Sequence, residues 1–419
     1  MKHTNKKGFT IVELVIVIAV IAILAAVLIP TFTNLIKKAN ESSDMQAVRQ
    51  MNTILAAENA FLGGITINDA VATLKEAGFN SDKYVPLVAG TYFFYDQDTK
   101  QIVYVDGENN VIYPKGAEIE GHALFSLSGQ VPTEDYDLPV IEGDTATFTI
   151  NTAAEFAQLA ADFKDIIAGK DAKGLEGFEV TLCASSQYVK GVANQKIVIN
   201  LTQDIDMRGA AFNLNLTNCT FILNGNGHTI SGVVNNSGFA VSSGNSENKA
   251  TEYGGAFLGY VSDSIVEFNN VTFENCRFGN ETVKASAIFV GQFNGDSTLT
   301  LNNTAVVDCT VDGLKGVAVY LGHACGSGNQ SVIFNGTNTV SGCELNASAT
   351  EAKDAGLVGT IIGRISGANK TVNGTVPSFN LTITSAGSAV EVAGRDIINA
   401  QGNFNADRHK VSYNGNWTK

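Results

Sequence analysis

Tryptophan occurs once in the 419-residue sequence, proline and cysteine six times each, and Lys and Arg together only 27 times. Against those 27 stand 41 Asp and Glu, for a formal net charge of −14. This shortage of bases excludes a dedicated nucleic-acid binder, which needs a basic footprint on the phosphates. No proline lies between Pro139 and Pro377, so no strand there loses a backbone donor. No Cys-x-x-Cys spacing occurs, which removes zinc knuckles and thioredoxin-like redox sites. Charged residues make up 16% and hydrophobic ones 44%, a balance that excludes wholesale disorder. Glycine is abundant at 42 residues, alongside Asn, Thr and Val, which suits short strands joined by tight turns. The length allows two or three folding units.

The long hydrophobic run stands at the N-terminus. Lys2, Lys6 and Lys7 precede it without an acid among them, which places that end on the cytoplasmic side of a membrane. Phe9 to Ile29 is 21 residues, apolar apart from Thr10 and Glu13. As a helix it is about 30 Å long, enough to span a bilayer. A secretory signal carries its small-residue cleavage site after the apolar run, whereas here Gly8 stands before it. Glu13 sits inside the run, where a carboxylate is costly without a partner.

The stretch Lys6-Lys7-Gly8-Phe9-Thr10-Ile11-Val12-Glu13-Leu14, continuing to Leu28-Ile29-Pro30, resembles the N-terminus of type IV pilins and type II secretion pseudopilins. The resemblance implies a membrane prepilin peptidase that cuts between Gly8 and Phe9 and methylates the new N-terminus at Phe9. It makes Glu13 the assembly charge partner of the Phe9 amine on a neighbouring subunit. Each charge is expensive alone in an apolar setting, so their pairing favours ordered insertion. Pro30, without a donor, marks a helix break. The implied partners are the prepilin peptidase, an assembly ATPase with its membrane platform, and other pilins in a homo- or heteropolymer. The implied location is the bacterial cytoplasmic membrane, single-pass with the N-terminus cytoplasmic, and then a cell-surface filament, in a Gram-positive organism.

Beyond Pro30 the helix is expected to continue to about residue 62. Phe32, Leu35, Ile36 and Ala39 share one stripe, as do Val48, Met51, Leu55 and Leu62. The polar stretch Asn40–Asp44 is a candidate bend, and Gly63-Gly64 a stop. Asn68 is a candidate cap for a short helix, Asp69–Glu76, ended by Gly78. Thr91–Tyr95 and Gln101–Val105 read as strands joined by Asp96–Lys100, with Val111–Tyr113 as a third. The stretch from Ala77 to Pro114 resembles pilin heads of Gram-positive bacteria. Asp96, Asp98 and Asp106 lack the spacing of a calcium loop and read as turn acids.

Thr152-Ala153-Ala154-Glu155 has the form of a capping box ahead of a helix, Phe156–Ile167. From about 178 to 390 a repeat follows. Phe257-Leu258-Gly259-Tyr260, Phe289-Val290-Gly291-Gln292 and Tyr320-Leu321-Gly322-His323 share one form, with glycines 32 and 31 residues apart. Each leads into an apolar alternating run, an Asn-containing turn, a further strand and a cysteine: Cys276, Cys309 and Cys343, spaced by 33 and 34. A less regular unit runs from Leu357 through Asn373-Gly374 to Ile383. The turn Leu223–Gly232 resembles one common in right-handed parallel β-helices. A fixed period implies one unit stacked on copies of itself, and a β-sandwich, the alternative, requires no such period.

The cysteine phase reads as a stack of small buried thiols, with a disulfide framework as the alternative. Parallel β-helices that cleave acidic polysaccharides need calcium-binding acids and many bases. Between Gly209 and Thr350 this chain has only Lys249, Arg277, Lys284 and Lys315. Asp263, Asp296, Asp308 and Asp312 fall at turns, where Asp serves the backbone, and His228 and His323 are isolated. Trp417, Tyr253, Tyr260 and Tyr320 are the aromatics weighed for a sugar platform.

The expected fold is an α+β pilin module, a long N-terminal helix plus a small β-sheet head, followed by a mainly β domain in the form of a right-handed parallel β-helix. The boundaries are 1–8 leader, 9–62 helix (9–29 membrane-spanning and filament core), 63–116 head, 117–145 linker, 146–400 capping helix and β-helix, and 401–419 tail. The expected function is that of a structural subunit, a minor one given the bulk of its head, of a pilus-like filament that displays the β-helix for adhesion to a glycan or host surface. The alternatives are a pseudopilin of a type II-like secretion system and a surface-tethered polysaccharide enzyme. No catalytic residue, metal or cofactor is expected.

Overall fold

The computed structural model describes residues 11–62, 67–79, 84–108, 110–119, 122, 124–129, 131, 133–167, 183–184, 187–188, 195–235, 239–241, 251–326, 328–348, 358–366, 369–375, 377–385, 388–394 and 411–414. Gly8, Phe9, Lys249 and Trp417 lie outside them. The chain divides into two compact units, Met1–His122 and Ala123–Lys419.

In the first unit helix α1 runs Ile11–Leu62. Its backbone is helical through Pro30 and through the polar stretch 40–44, which therefore does not interrupt it. Among the described residues no helix is long and apolar enough to cross a membrane.

Further on, Val48, Met51 and Leu55 recur at helical spacing and are fully buried. They belong to a core that includes Phe93, Phe94, Val103 and Tyr104 of an antiparallel sheet. Its strands are β1 (Thr91–Asp96), β2 (Gln101–Asp106) and β3 (Val111–Tyr113). Helix α2 runs Ile67–Glu76 and buries Ala70 and Leu74. It starts one residue before Asn68, so Asn68 lies in its first turn and does not cap it. Gly78 closes α2 at φ 89°, a conformation that favours glycine, and Phe79 N–H donates back to Leu74 O at 2.9 Å.

The second unit is mainly β, with large parallel sheets. In a nine-stranded sheet, Thr145–Ile150, Gln195–Leu201, Cys219–Asn224, Ile265–Asn269, Ser297–Asn302, Gln330–Asn335, Lys370–Gly374 and Val411–Asn414 are successive parallel neighbours. Val140–Glu142, within the stretch read as a linker, adds an antiparallel edge. A five-stranded sheet stacks Leu214–Thr217, Leu258–Ser262, Val290–Asn294, Leu321–Ala324 and Ile362–Ile365, again all parallel. A ten-stranded sheet gathers the short strands that follow, among them Thr272–Glu274, Ala305–Val307 and Thr339–Ala347. Each turn of chain from 258 to 347 thus feeds every one of these three sheets before the next turn begins.

The corners explain the composition. Asn270, Asn303 and Gly336 follow strands of the nine-stranded sheet, Gly232, Asn275 and Asp308 separate the short strands, and Gly342 sits at a bulge within Thr339–Ala347. All adopt φ between 48° and 68°, the left-handed region that Gly, Asn and Asp enter at least cost. Beside them the side chains of Asn200, Asn224, Asn269, Asn302 and Asn335 form a ladder, each Nδ2 donating to the Oδ1 of the preceding residue at 2.5–2.8 Å.

Inside, Phe257, Phe289 and Tyr320 of the repeated motif lie in the core, with Phe289 and Tyr320 stacked at 5.4 Å. Helix α3 (Ala153–Ile167) is held by its capping box: Glu155 N–H donates to Thr152 Oγ1 at 3.0 Å and Thr152 N–H to Glu155 Oε2 at 3.2 Å. It adds Phe156 to the stack, 4.7 Å from Phe212, which lies 4.2 Å from Phe257. Cys276, Cys309 and Cys343 are buried and free, as the thiol reading expects, with Cys276 N–H donating to Cys309 Sγ at 3.4 Å. Burial pushes the Cys309 thiol well up, so it stays protonated and inert.

Phe257→Ala removes a fully buried ring from the middle of this stack and is expected to cost about 3–5 kcal/mol. Urea denaturation followed by circular dichroism checks it. A conservative Phe257→Leu is expected to cost clearly less.

Candidate functional site

The site is built on α1. Leu14, Val15, Ile16, Val17, Ile18, Val20 and Ile21 are each 50–59% exposed, and Ile11 is 82% exposed. Because these positions are nearly consecutive, they cover every side of the helix. A helix apolar all round is normally buried in a protein core or in lipid. Phe32, Leu35 and Ile36 extend the exposed apolar surface. Glu13 lies on the described backbone of α1, but its side chain is outside the described set, as are Gly8 and Phe9 altogether.

The polar residues of α1 hold the helix to its head. Asp44 is buried, and its carboxylate accepts the Leu87 N–H at 2.9 Å, the Val88 N–H at 3.1 Å and the Tyr104 hydroxyl at 3.2 Å. Burial and the neighbouring Asp44 charge push the Tyr104 hydroxyl up to about 12. Asn52 acts as a one-residue strand beside β2. Its Nδ2 donates to Ile102 O at 2.9 Å, and its Oδ1 accepts the Ile102 N–H at 2.6 Å. Arg49 completes the row, donating from Nε to the Tyr113 hydroxyl at 3.0 Å. Sequence reading missed these residues, because a lone Asp or Asn in an amphipathic helix looks like any solvated polar position.

At the hairpin tip Asp96 does the work of a turn acid. It accepts the Asp98 N–H at 2.9 Å, the Thr99 N–H at 3.2 Å and the Thr99 hydroxyl at 2.7 Å. His122 Nδ1 lies 2.8 Å from Asp96 Oδ2. Among the described residues, Asp96, Asp98 and His122 form the grouping with the chemistry to hold a metal, their donor atoms within 4.8 Å of one another. The turn already uses both Asp96 oxygens, so the arrangement fits a staple for the segment around His122.

The acids and histidines of the β region are tied to backbone and neighbours. Asp263 accepts the Asp296 N–H at 3.0 Å, and Asp296 the Asn329 N–H at 2.6 Å. Asp312 accepts Asn346 Nδ2 at 3.0 Å. His228 Nδ1 faces Asp204 at 3.3 Å. Tyr260 and Tyr320 are buried, which removes both as sugar platforms.

The profile for the prokaryotic N-terminal methylation motif matches residues 3–29. The chain is 46% identical over 156 residues to a type IV major fimbrial protein FimA of Dichelobacter nodosus, an alignment covering 90% of that protein and 36% of this chain. Of another FimA of the same organism it covers 36%, at 46% identity over 59 residues. It is also 63% identical over 38 residues to the type IV wide pilus major component PilA4 of Thermus thermophilus, 29% of that protein's length and 9% of this chain. The chain belongs to the type IV pilin family. No solved structure matches it. These relatives give no support to a Gram-positive origin.

Burial pushes the Asp96 carboxyl up, but its hydrogen bonds from His122, Thr99 and the Asp98 backbone together outweigh that and hold it below the usual range. The bond to Asp96 raises His122 above the ordinary histidine value. The Asp96 contribution is therefore present above about pH 4 and lost as pH falls through its lowered value. The His122 contribution is complete below about pH 6.5 and lost as pH rises through its raised value. The pair is expected to hold best between those limits. NMR titration of His122 checks this: its midpoint is expected to fall towards about 6.5 in Asp96→Asn. Asp44→Ala is expected to speed hydrogen exchange of the Leu87 and Val88 amides by about tenfold or more, because both lose their acceptor.

Proposed function

We propose that this chain is a structural subunit of a type IV pilus-like surface filament, cleaved between Gly8 and Phe9, methylated at Phe9, and inserted with Glu13 facing the Phe9 amine of its neighbour. One observation carries the reading. The methylation motif at 3–29 leads directly into a helix whose apolar side chains are exposed on every side. Such a helix needs lipid before assembly and other helices after it. The prepilin peptidase, the assembly ATPase with its platform, and sibling pilins follow as partners, and an opening of the helix at Pro30 would accompany packing in the filament.

The β region is read as a right-handed parallel β-helix displayed outward for adhesion. Successive parallel registers, left-handed corners and the Asn ladder support the coil, and the handedness of parallel crossovers supports the right-handed sense. A relative matched over 90% of its length accounts for only 36% of this chain. The extra bulk supports a minor position in the filament. The relatives are named as fimbrial and pilus components, which favours a pilus over a secretion pseudopilus.

The test is Glu13→Ala in the protein's own cells. Cleavage of the leader is expected to continue, while the chain in the sheared-filament fraction falls about tenfold or more, as an unpaired amine in an apolar core demands. Glu13→Asp is expected to recover part of it. Unchanged filament incorporation in Glu13→Ala would contradict the proposal.

A further inference from the structure

One side of α1 belongs neither to the core of the head nor to solvated polar surface alone. From Phe32 the positions Ile36, Ala39, Ser43, Gln46 and Gln50 follow at alternate steps of four and three, which keeps them on one side of the helix. Phe61 lies eleven residues beyond Gln50, about three turns, and falls on that same side. Its ring is 84% exposed. Val48, Met51 and Leu55, which enter the core of the head, occupy a different side.

Where this side passes the head, it forms one wall of an open groove of about 560 Å³. Ser43, Ala47 and Gln50 line that wall, and Phe79, Val85 and Leu87 line the groove from the segment after α2. Val85 is 41% and Leu87 60% exposed, so the groove offers apolar surface to whatever enters it. Asp44 also borders it, but its carboxylate is taken up by the Leu87 and Val88 amides and the Tyr104 hydroxyl. The groove therefore asks for an apolar group and no cation. Exposed Gln46 and Gln50 give it the polar rim that surrounds the apolar centre of an interface.

A contact that joins two different surfaces of one chain leaves a free surface at each end, so it propagates without closing. The groove and Phe61 are such a pair, a concave and a convex apolar feature on one side of one rod. From the middle of the groove to Phe61 is about 14 residues, or about 21 Å of helix. We infer that Phe61 of one copy enters the groove of a second copy whose α1 is parallel to it and displaced by about 20 Å along the axis. The same displacement sets the bare Phe32, Leu35 and Ile36 of the upper copy level with the head of the lower one, and so covers surface that a single chain leaves exposed. Continuity of the groove wall with that stripe is what assigns the occupant to a second copy. The inference rests on the filament reading and adds a named contact to it. It also requires that copies enter the filament consecutively, even for a subunit present in small number.

Cross-linking in filaments sheared from the protein's own cells tests it, using the full chain with Phe61→Cys, Gln50→Cys or both, and a short bismaleimide. The double variant is expected to give a ladder of dimers, trimers and longer species. The two single variants expressed together are expected to stop at dimers, because each offers only one end of the contact. Either single variant alone is expected to give none, which also controls for the native cysteines. Phe61→Ser is expected to lower incorporation into filaments about tenfold, and Phe61→Leu to recover part of it. Because Phe61 is exposed in the single chain, circular dichroism of these variants is expected to be unchanged, and they carry the test if the double variant does not assemble. Double-variant filaments without a ladder, Phe61→Cys chains joined to one another or only to a different pilin, or unchanged incorporation of Phe61→Ser would overturn the contact. Absence of the unaltered chain from filaments would instead contradict the assembly reading on which the contact rests.

Discussion

A helix with bare apolar side chains on every side has no stable place in water, and the organisation of the first unit follows from that constraint. Leu14 to Ala22 are all exposed in the single chain. The described part of one chain leaves them uncovered, and the proposed assembly would supply the cover. The same helix changes character beyond Ile36. There it becomes amphipathic, buries Val48, Met51 and Leu55, and spends Asp44 and Asn52 on the backbone of its own head. One element thus serves two environments, with a handle that fixes the head to the rod.

The β region obeys a different constraint, that each turn must lie on the last in register. Parallel strands supply the ladder, but the chain has to change direction within a few residues at every corner. Left-handed Asn, Asp and Gly do that at little cost, and the Asn side chains bond to one another along the axis. Glycines serve the close approaches. A Cβ on Gly291 would fall into the backbone of Gly254, and one on Gly363 into that of Val317. The repeated Phe/Tyr-x-Gly motif is therefore two demands in one: a ring for the core, and no side chain where another segment crosses.

Much of this was legible in the residues. The helix was readable from its apolar run and its later stripes, because helical periodicity is local. The strands around Thr91, Gln101, Ile265, Ser297 and Gln330 were readable from alternation, and the capping box from Thr152 and Glu155. The N-terminal motif carried the family, which similarity to fimbrial proteins then showed. What the sequence concealed is contact between distant residues. Nothing local marks Asp44 as the acceptor for amides 43 and 44 residues away, or His122 as the partner of Asp96. Asn68 shows the converse: a good cap residue placed one position inside the helix, because start signals fix a boundary only to within a residue or two.

The central claim is that the chain is processed at Gly8–Phe9 and then packed by its N-terminal helix. Mass spectrometry of the N-terminus, on protein from the sheared-filament and membrane fractions of its own cells, tests this directly. A mature chain beginning at methylated Phe9 in the filament fraction is the predicted result. A leader still attached in filaments, or a cut beyond the apolar run, would contradict it.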